Sequence, residues 1–281
     1  MIRGLYSAAS GMMNMLDAND IIANNMANIN TPGFKQSVSL FQSFPDLLVS
    51  KIGFHKGIQS KTPSGLGHIS PGSIFASVNC DFTQGQIKKT DSPHDLAIQG
   101  DGFFEVQSKD GQRVYTRNGS FSINTEGYMV NNDGNNIIGK DNNPIFLGKN
   151  SFDLKVDSQG NILVRNIKTK DEKEQDKAKN PDEKVDLTEY KKIAELKVVD
   201  FDNKLGLEKV GNSMFKDPGA AGQKVASGYQ IVQGALETAN ANPITTMVKT
   251  INGMRTYESL EKIVETTNRS LEKAVNQLGR L

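Results

Sequence analysis

The feature that most constrains this chain is a heptad pattern near its start. Alternating steps of three and four from Leu5 reach positions that are almost all apolar. These seam positions are Leu5, Ala8, Met12, Met15, Asn19, Ile22, Met26 and Ile29. The pattern predicts an amphipathic α-helix, and one polar seam residue, Asn19, is typical of a position that fixes helix register. Asn30 can take a left-handed cap and Pro32 disfavours helix before it, so we expect the helix to run from about Ile2 to Asn30.

A second heptad pattern occupies the other end of the chain. Asn242 is a suitable N-cap and Pro243 a suitable first helical residue, which predicts a helix from about Pro243 to Leu278. Its apolar stripe comprises Met247, Ile251, Met254, Tyr257, Leu260, Val264, Thr267, Leu271, Ala274, Leu278 and Leu281, with one irregularity between Met254 and Leu260. Two long terminal helices predict a coiled-coil-like helical pair with a different domain inserted between them.

The residues between the helices have β character. From about Val78, short apolar runs alternate with turn sequences, which predicts an antiparallel all-β domain and an α+β fold class overall. One such run, Asp95–Val106, carries Gly-Asp-Gly at its centre and predicts a β-hairpin. The predicted division is 1–34 with 240–281 as a helical domain, 35–77 as an extended connector and 78–232 as the β domain. Within the β domain, 168–192 is rich in Lys, Asp and Glu and is predicted to be a solvated insertion.

Composition excludes several function classes. The chain has 33 Lys and Arg against 32 Asp and Glu, so nucleic-acid binding has no electrostatic support. A single cysteine, Cys80, excludes an intramolecular disulfide and a cysteine metal cluster. No apolar run approaches the roughly 18 residues of a membrane span, and the start of the chain lacks the pattern of a cleavable signal peptide. We expect a protein that is either cytoplasmic or exported without such a signal.

The residues that could carry chemistry do not form a site in the sequence. His55, His68 and His94 are not spaced to share a helix face, so a histidine metal site is unsupported. Cys80 has no evident activating neighbour. The Asn- and Asp-rich run 131–135 lacks the EF-hand spacing and is better explained as tight turns. We therefore predict no enzyme, no catalytic residues, no cofactor and no metal site.

Several separated motifs resemble one family. The segment 23–35, Ala-Asn-Asn-Met-Ala-Asn-Ile-Asn-Thr-Pro-Gly-Phe-Lys, closely resembles the signature of the bacterial flagellar rod and hook axial proteins. The motif residues are Asn24, Asn25, Asn28, Thr31, Pro32 and Gly33. The segments 4–12, 95–106, 115–121 and 233–243 are similar to the same family. The ending, 273–281, favours the proximal-rod type over the distal-rod type, and the charged insertion 168–192 departs from the family pattern.

The resemblance implies a structural role. In such proteins the terminal helices associate into a tube around an export channel, and the β domain forms an outer layer. It implies copies of the chain itself, other rod proteins, adjacent rod or hook subunits and the flagellar export apparatus as partners. It also implies a place in the periplasmic rod of the basal body, reached by type III export without a cleavable signal peptide.

The predicted assembly interface combines both stripes. Its residues are Leu5, Ala8, Met12, Met15, Asn19, Ile22, Met26, Ile29, Met247, Ile251, Met254, Leu260, Val264, Leu271 and Leu278. A stripe of seam width is incompletely buried by one partner helix, and neighbours in a helical array can cover the rest. Two alternatives come from other classes. One is a dimeric binding module whose helices form a stalk, which requires a concave aromatic-lined pocket; the other is a hydrolase, which requires paired carboxylates or a histidine site.

Overall fold

The chain forms two units, each built from segments that are distant in sequence. The structure is a computed structural model and describes residues 2–51, 64–108, 110–148, 153–165, 190–219 and 221–279. The first unit comprises Met1–Ala27, Ser37–Asp81 and Asn242–Leu281. The second comprises Asn28–Gln36 and Phe82–Ala241. Among the residues that the structure describes, two helices and many antiparallel strands make the fold α+β.

The first unit contains both helices and two β-ribbons. Helix α1 spans Ile2–Ala27 and helix α2 spans Pro243–Leu278. The strands of this unit are β1 (Ser37–Ser43), β2 (Leu47–Lys51), β3 (Ser64–Ile69) and β4 (Ser73–Cys80). Strand β1 pairs with β4 and β2 pairs with β3, both antiparallel. Helix α1 contacts α2 and also packs against β1 and β4.

The second unit contains the remaining strands. They are β5 (Ile87–Lys89), β6 (Leu96–Gln99), β7 (Phe103–Gln107), β8 (Arg113–Thr116), β9 (Phe121–Ile123), β10 (Met129–Asn131), β11 (Asn136–Ile137), β12 (Asp153–Val156), β13 (Asn161–Arg165), β14 (Lys191–Glu195), β15 (Val198–Phe201), β16 (Glu208–Gly211), β17 (Met214–Lys216), β18 (Gln223–Val225), β19 (Gln230–Gln233) and β20 (Ala235–Glu237). A 3-10 turn covers Lys204–Gly206.

These strands form one large sheet and several small ones. The large sheet has the order β16-β17-β8-β7-β11-β10-β9, and β15 pairs with both β7 and β18. Strands β12, β13 and β14 form a three-stranded sheet, β6 pairs with β19, and β5 pairs with β20. The hydrophobic core lies between them and includes Leu96, Phe104, Ile162, Leu196 and Ile231. Strand β13 shows how sequence sets its orientation, because its residues alternate between inward and partly exposed positions.

The predicted C-terminal helix is confirmed and the predicted N-terminal helix is three residues too long. Helix α2 begins at Pro243, with the Asn242 side chain accepting hydrogen bonds from the two backbone amides that follow the proline. Helix α1 ends at Ala27 rather than Asn30. The left-handed residue of the turn that follows is Gly33, with a φ of 67°, and not Asn30. The prediction assigned the left-handed cap to Asn30, which is nearer the heptad pattern, whereas a glycine adopts a positive φ at a lower energetic cost.

The predicted hairpin at Asp95–Val106 is wrong. Strands β6 and β7 are adjacent in the chain but lie in different sheets, since β6 pairs with β19 and β7 with β8, β11 and β15. Gly100 and Gly102 have φ values of 106° and 132°, and a side chain at Gly102 would collide with Val198. The glycines therefore allow the chain to pass from one sheet to another, and they allow the backbone at Gly102 to approach Val198 closely. A Gly-Asp-Gly pattern is compatible with this role as well as with a hairpin turn.

The two units divide the chain at other residues than the predicted domains. Residues 28–36 belong to the β unit, and most of the predicted connector 35–77 forms β-ribbons that belong with the helices. Most of the predicted insertion 168–192 lies outside the described residues, as does His55. None of the described helices has a stretch long and apolar enough to cross a membrane.

Candidate assembly interface and junction

The seam of α1 faces α2. Each seam position within the helix, namely Leu5, Ala8, Met12, Met15, Asn19, Ile22 and Met26, is buried or half-buried. The helices run antiparallel, because Gly11 lies against Leu260 while Gly253, earlier in α2, lies against Asn19. Ile29 is half-buried but lies beyond the end of α1, in the β unit.

A second face of α1 packs against the β-ribbon. These residues lie one position before the seam and include the buried Asn14, Ala18 and Asn25. Asn14 Nδ2 donates to Ser73 Oγ at 2.7 Å. Asn25 exchanges two hydrogen bonds with the backbone of Ser37, at 2.7 and 2.8 Å. Asn25 of the family motif therefore holds the start of β1 against the helix.

The face of α2 toward α1 differs in part from the predicted stripe. From Tyr257 onward the predicted residues Leu260, Val264 and Leu271 are half-buried. Before Tyr257 the least exposed residues are Thr246, Thr250 and Gly253, which continue the same alternation of fours and threes. The predicted Met247, Ile251 and Met254 each lie one position later and are 57%, 51% and 56% exposed. The side chain of Leu278 lies outside the described residues.

This displacement leaves an apolar face on the helical pair. In α1 the residues one position after the seam include Tyr6, Met13 and Leu16, which are all exposed. In an antiparallel pair of right-handed helices, positions that follow the seam turn toward the same side of both helices. The exposed apolar residues of α1 and α2 therefore lie on one side of the pair. In α1 that side is the one away from Asn14 and Asn25, which contact the ribbon.

The two ribbons of the first unit are also apolar on their surface. The exposed large side chains of the ribbons, and of the link between β1 and β2, are Val38, Leu40, Phe41, Phe44, Leu47, Leu48, Ile69, Ile74 and Val78. Two-stranded ribbons are marginally stable alone, and exposed apolar surface of this extent commonly marks an interaction site.

The family motif continues into the β unit, where its last residues are buried. Thr31 N–H donates to Asn28 O at 3.1 Å, and Thr31 Oγ1 lies 3.3 Å from Asn28 Oδ1. Gly33 is buried with Pro32 half-buried beside it, and a side chain at Gly33 would collide with the Asn118 backbone. The motif thus supplies a turn whose glycine meets another backbone directly. Asn24, in α1, is exposed.

A buried charged group follows the motif. Lys35 Nζ lies 2.6 Å from Glu237 Oε1, and Arg117 Nη1 lies 3.3 Å from Glu237 Oε2. These side chains are 1%, 3% and 0% exposed for Lys35, Arg117 and Glu237. Glu237 Oε1 also accepts the Gly85 N–H at 2.9 Å, and Lys35 Nζ donates to Thr83 O at 2.7 Å. We refer to Lys35, Arg117 and Glu237 as the junction cluster.

The electrostatics of the junction cluster follow from burial. Burial lowers the pKa of Arg117, because desolvation disfavours its charged form, and Glu237 opposes the shift. A guanidinium remains protonated in proteins, so the cluster holds two cations and one carboxylate away from water. Removing one partner of such a buried group is costly, since it leaves the other charge uncompensated.

Sequence reasoning did not identify the junction cluster. Lys35 is the last residue of the motif segment 23–35. It is separated from Glu237 by 202 positions, and no local sequence pattern relates the two residues. Cys80 is half-buried at the end of β4. The described residues contain no group of three His, Cys, Asp or Glu side chains placed to hold a metal ion.

Comparisons with known proteins match three parts of the chain. Residues 5–35 match the flagella basal body rod protein family, residues 97–164 the flagellar hook protein FlgE/F/G D1 domain, and residues 232–278 the flagellar basal body rod FlgEFG protein C-terminal family. The first match covers the seam and the motif, and the third covers all of α2.

Individual relatives match over almost the whole chain. The flagellar basal-body rod protein FlgG of Buchnera aphidicola subsp. Schizaphis graminum is 31% identical over 279 residues, which cover 97% of this chain and 98% of the relative. FlgG of Bacillus subtilis is 29% identical, covering 98% and 99%. The flagellar basal-body rod protein FlgF of Caulobacter vibrioides is 29% identical and covered in full.

Proposed function

Because the chain belongs to the flagellar basal-body rod protein family, as a structural component of the basal body and not an enzyme, we propose that it assembles into the rod through its two terminal helices. In this proposal copies of the chain form a helical tube that transmits torque from motor to hook and encloses the export channel. Other rod proteins, hook subunits and the export apparatus are its neighbours.

The observation that carries this proposal is the exposed apolar face of the helical pair. Met247, Ile251 and Met254 of α2 lie on the same side as Tyr6 and Met13 of α1 and are open to solvent in the single chain. Exposed apolar surface of this kind is stabilised when a neighbour covers it. Contacts between different faces of identical subunits form an open helical filament when the rotation from one subunit to the next does not close into a ring.

Location in the periplasm and export without a cleavable signal peptide are part of the same proposal. The proximal-rod type remains a prediction from the resemblance, since FlgG and FlgF relatives match this chain at similar identity. The comparisons give no support to the alternative of a dimeric ligand-binding module.

The experiment that tests assembly through this face compares two matched substitutions in α2. Ile251 lies on the apolar face and is 51% exposed, whereas Ile263 lies one position before the seam and is 46% exposed. Ile251→Asp is expected to abolish rod assembly, because a carboxylate in an apolar interface is desolvated without a partner. Ile263→Asp is expected to assemble normally.

Both variants would be expressed in a strain that lacks the chain, and purified basal bodies and swimming would be scored. Unchanged circular dichroism and melting temperature of each purified variant serve as the folding control. Normal assembly by Ile251→Asp would contradict the proposal, as would an equal defect in Ile263→Asp. Expression of the wild-type chain in two deletion strains tests the proximal assignment. The assignment is supported if the chain restores swimming in a strain that lacks its proximal-rod protein but not in one that lacks its distal-rod protein.

A further inference from the structure

Two segments of the β unit are bonded to each other: the one that follows α1, here called the incoming segment, and the one that precedes α2, here called the outgoing segment. The incoming segment is 28–36 and the outgoing segment is 237–241. Gly33 N–H donates to Glu237 O at 2.7 Å, and Gln36 N–H donates to Asn240 Oδ1 at 2.7 Å. The backbone that leaves α1 and the backbone that leads into α2 are therefore fixed to one another inside the β unit.

The junction cluster strengthens this connection. Lys35 belongs to the incoming segment and Glu237 to the outgoing one, and their side chains form a buried ion pair at 2.6 Å. Arg117, at the end of β8, holds the other oxygen of Glu237. Hydrogen bonds between charged groups are stronger than neutral ones, and a water-excluded setting strengthens them further.

Additional contacts hold the same two segments. Lys209 Nζ donates to Lys35 O at 3.3 Å and lies 4.0 Å from the centre of the buried Phe34 ring. Asn240 Nδ2 lies 3.1 Å from Thr83 Oγ1. The incoming and outgoing segments are thus fastened both to each other and to the body of the unit.

We propose that the junction cluster is a mechanical lock that keeps the incoming and outgoing segments together when tension or torque is applied through the terminal helices. The source of that load rests on the proposed function in the rod. Force that arrives through either helix meets the β unit at segment 28–36 or at segment 237–241. While the lock holds, the chain between those two segments is not extended by a force applied along the backbone, because the two segments stay together.

To rupture the lock, the Lys35 ammonium and the Glu237 carboxylate must separate while water is still excluded from both groups. Opposite charges attract each other more strongly where the local dielectric is low. The cluster therefore resists force along the line that joins the two segments. The same cluster is not under direct tension when force is applied between other points of the unit. This directional dependence distinguishes a lock from a contribution to stability alone.

The test is single-molecule stretching of the full chain in a Cys80→Ser background. Handles are attached through Ala27→Cys and Thr245→Cys, which are exposed and flank the junction, or through Glu126→Cys and Glu208→Cys, which are exposed elsewhere in the unit. Lys35→Met removes one of the two cations that pair with Glu237, while Arg117 remains. With junction handles we expect the rupture rate at constant force to rise at least about tenfold.

Lys197→Met is the matched control. Lys197 Nζ lies 2.8 Å from Glu105 Oε2, Glu105 is fully buried, and Arg113 remains to pair with it at 2.7 Å. The control therefore replaces one of the two cations that pair with a buried carboxylate, as Lys35→Met does, but at another place in the same unit. It is expected to leave the rupture rate under junction handles within about twofold of the wild type, whatever its effect on melting temperature.

Equal changes in rupture rate for Lys35→Met and Lys197→Met would overturn the lock, as would an equal effect of Lys35→Met under both pairs of handles. If Lys35→Met does not fold, Asn240→Ala replaces it, because it removes the bonds to Gln36 and Thr83 without unpairing a buried charge. It is expected to raise the rupture rate under junction handles only. The stretched protein is a single chain, so failure of the lock is separate from failure of rod assembly.

Discussion

Tyr115 is a buried residue whose ionisation couples pH to the stability of the β unit. Its hydroxyl donates to Gln223 Oε1 at 3.3 Å, and its ring contacts Phe201 edge-on with centroids 4.8 Å apart. Burial raises the pKa of Tyr115 from 10.0 to about 12, and the nearby Glu105 adds to the shift. The folded protein therefore keeps this phenol neutral at pH values where the unfolded chain ionises it.

The sign of the effect follows from that difference. Below pH 10 both states are protonated and the contribution of Tyr115 is fully present; it is lost as the pH rises through 12. Tyr115→Phe is expected to unfold about 1 kcal/mol more easily at pH 9, because it lacks the hydrogen bond to Gln223. Between pH 9 and pH 12 the wild type is expected to lose on the order of 2 kcal/mol relative to the variant.

Urea denaturation of both proteins across this pH range measures the difference, and other ionisable groups cancel because both chains carry them. Parallel stability curves for the wild type and Tyr115→Phe would show that the phenol has no raised pKa in the folded state.

Residues that act alone could be predicted from the sequence, whereas residues that act in distant pairs could not. Asn242 was identified as an N-cap because the cap and the amides it accepts from are neighbours in the chain. Lys35 and Glu237 pair across almost the whole β unit, and each, taken singly, resembles a surface charge. Only the fold shows that both are buried.

At the scale of elements, the contact between α1 and α2 depends on a small residue. Gly253 lies against Asn19, and a Cβ at Gly253 would collide with Asn19 Oδ1. That oxygen is buried and has no hydrogen-bond partner in the part of the chain that the structure describes. Asn19 therefore occupies the seam by fitting against a glycine rather than by pairing with another polar group.

The predicted stripe of α2 was displaced by one residue over its first part for a related reason. The prediction chose the most apolar line through Met247, Ile251 and Met254, whereas the face toward α1 is formed by Thr246, Thr250 and Gly253. Small residues allow close approach, and hydrophobicity alone does not reveal which of two neighbouring lines is covered within the chain. The irregular spacing between Met254 and Leu260 marks the point at which the predicted stripe moves onto the face of α2 that lies toward α1.

Substitution of both residues is expected to stabilise the helical pair. Gly253→Ala gains helix propensity of up to about 1 kcal/mol but places a methyl group against Asn19. Asn19→Ala/Gly253→Ala keeps that gain and removes the buried oxygen, so the double variant should exceed the sum of the two single effects by about 1 kcal/mol. Denaturation followed by far-UV circular dichroism measures all four proteins. Strict additivity would indicate that the two side chains do not meet.

At the scale of the whole molecule, the fold class was predictable and the strand pairing was not. Short strands separated by turns indicated antiparallel β structure, and that part is confirmed. Pairings such as β6 with β19 join residues from opposite ends of the β unit, and the chain between them contains no local record of the partner. The hairpin prediction failed there because turn chemistry describes only neighbours.

The two units differ in how their apolar side chains are covered, and this difference predicts where the chain opens. The hydrophobic core cluster lies entirely in the β unit. The helices and ribbons leave many large apolar residues exposed, including Met13, Leu48 and Ile251. Local stability follows buried apolar contacts, so amides of α1 and α2 should exchange with solvent faster than those of β7 and β15 in a dilute single chain.

Assembly should reverse that order for the helices. Hydrogen exchange measured by mass spectrometry on the dilute protein and on purified basal bodies is expected to show strong protection of Ile2–Ala27 and Pro243–Leu278 only in the assembled state. Protection of Phe103–Gln107 should be the same in both, which makes it the internal reference. If both helices are already as protected as that reference in the dilute chain, they need no neighbouring subunit for their stability. Self-assembly through the exposed apolar face would then lose its physical basis.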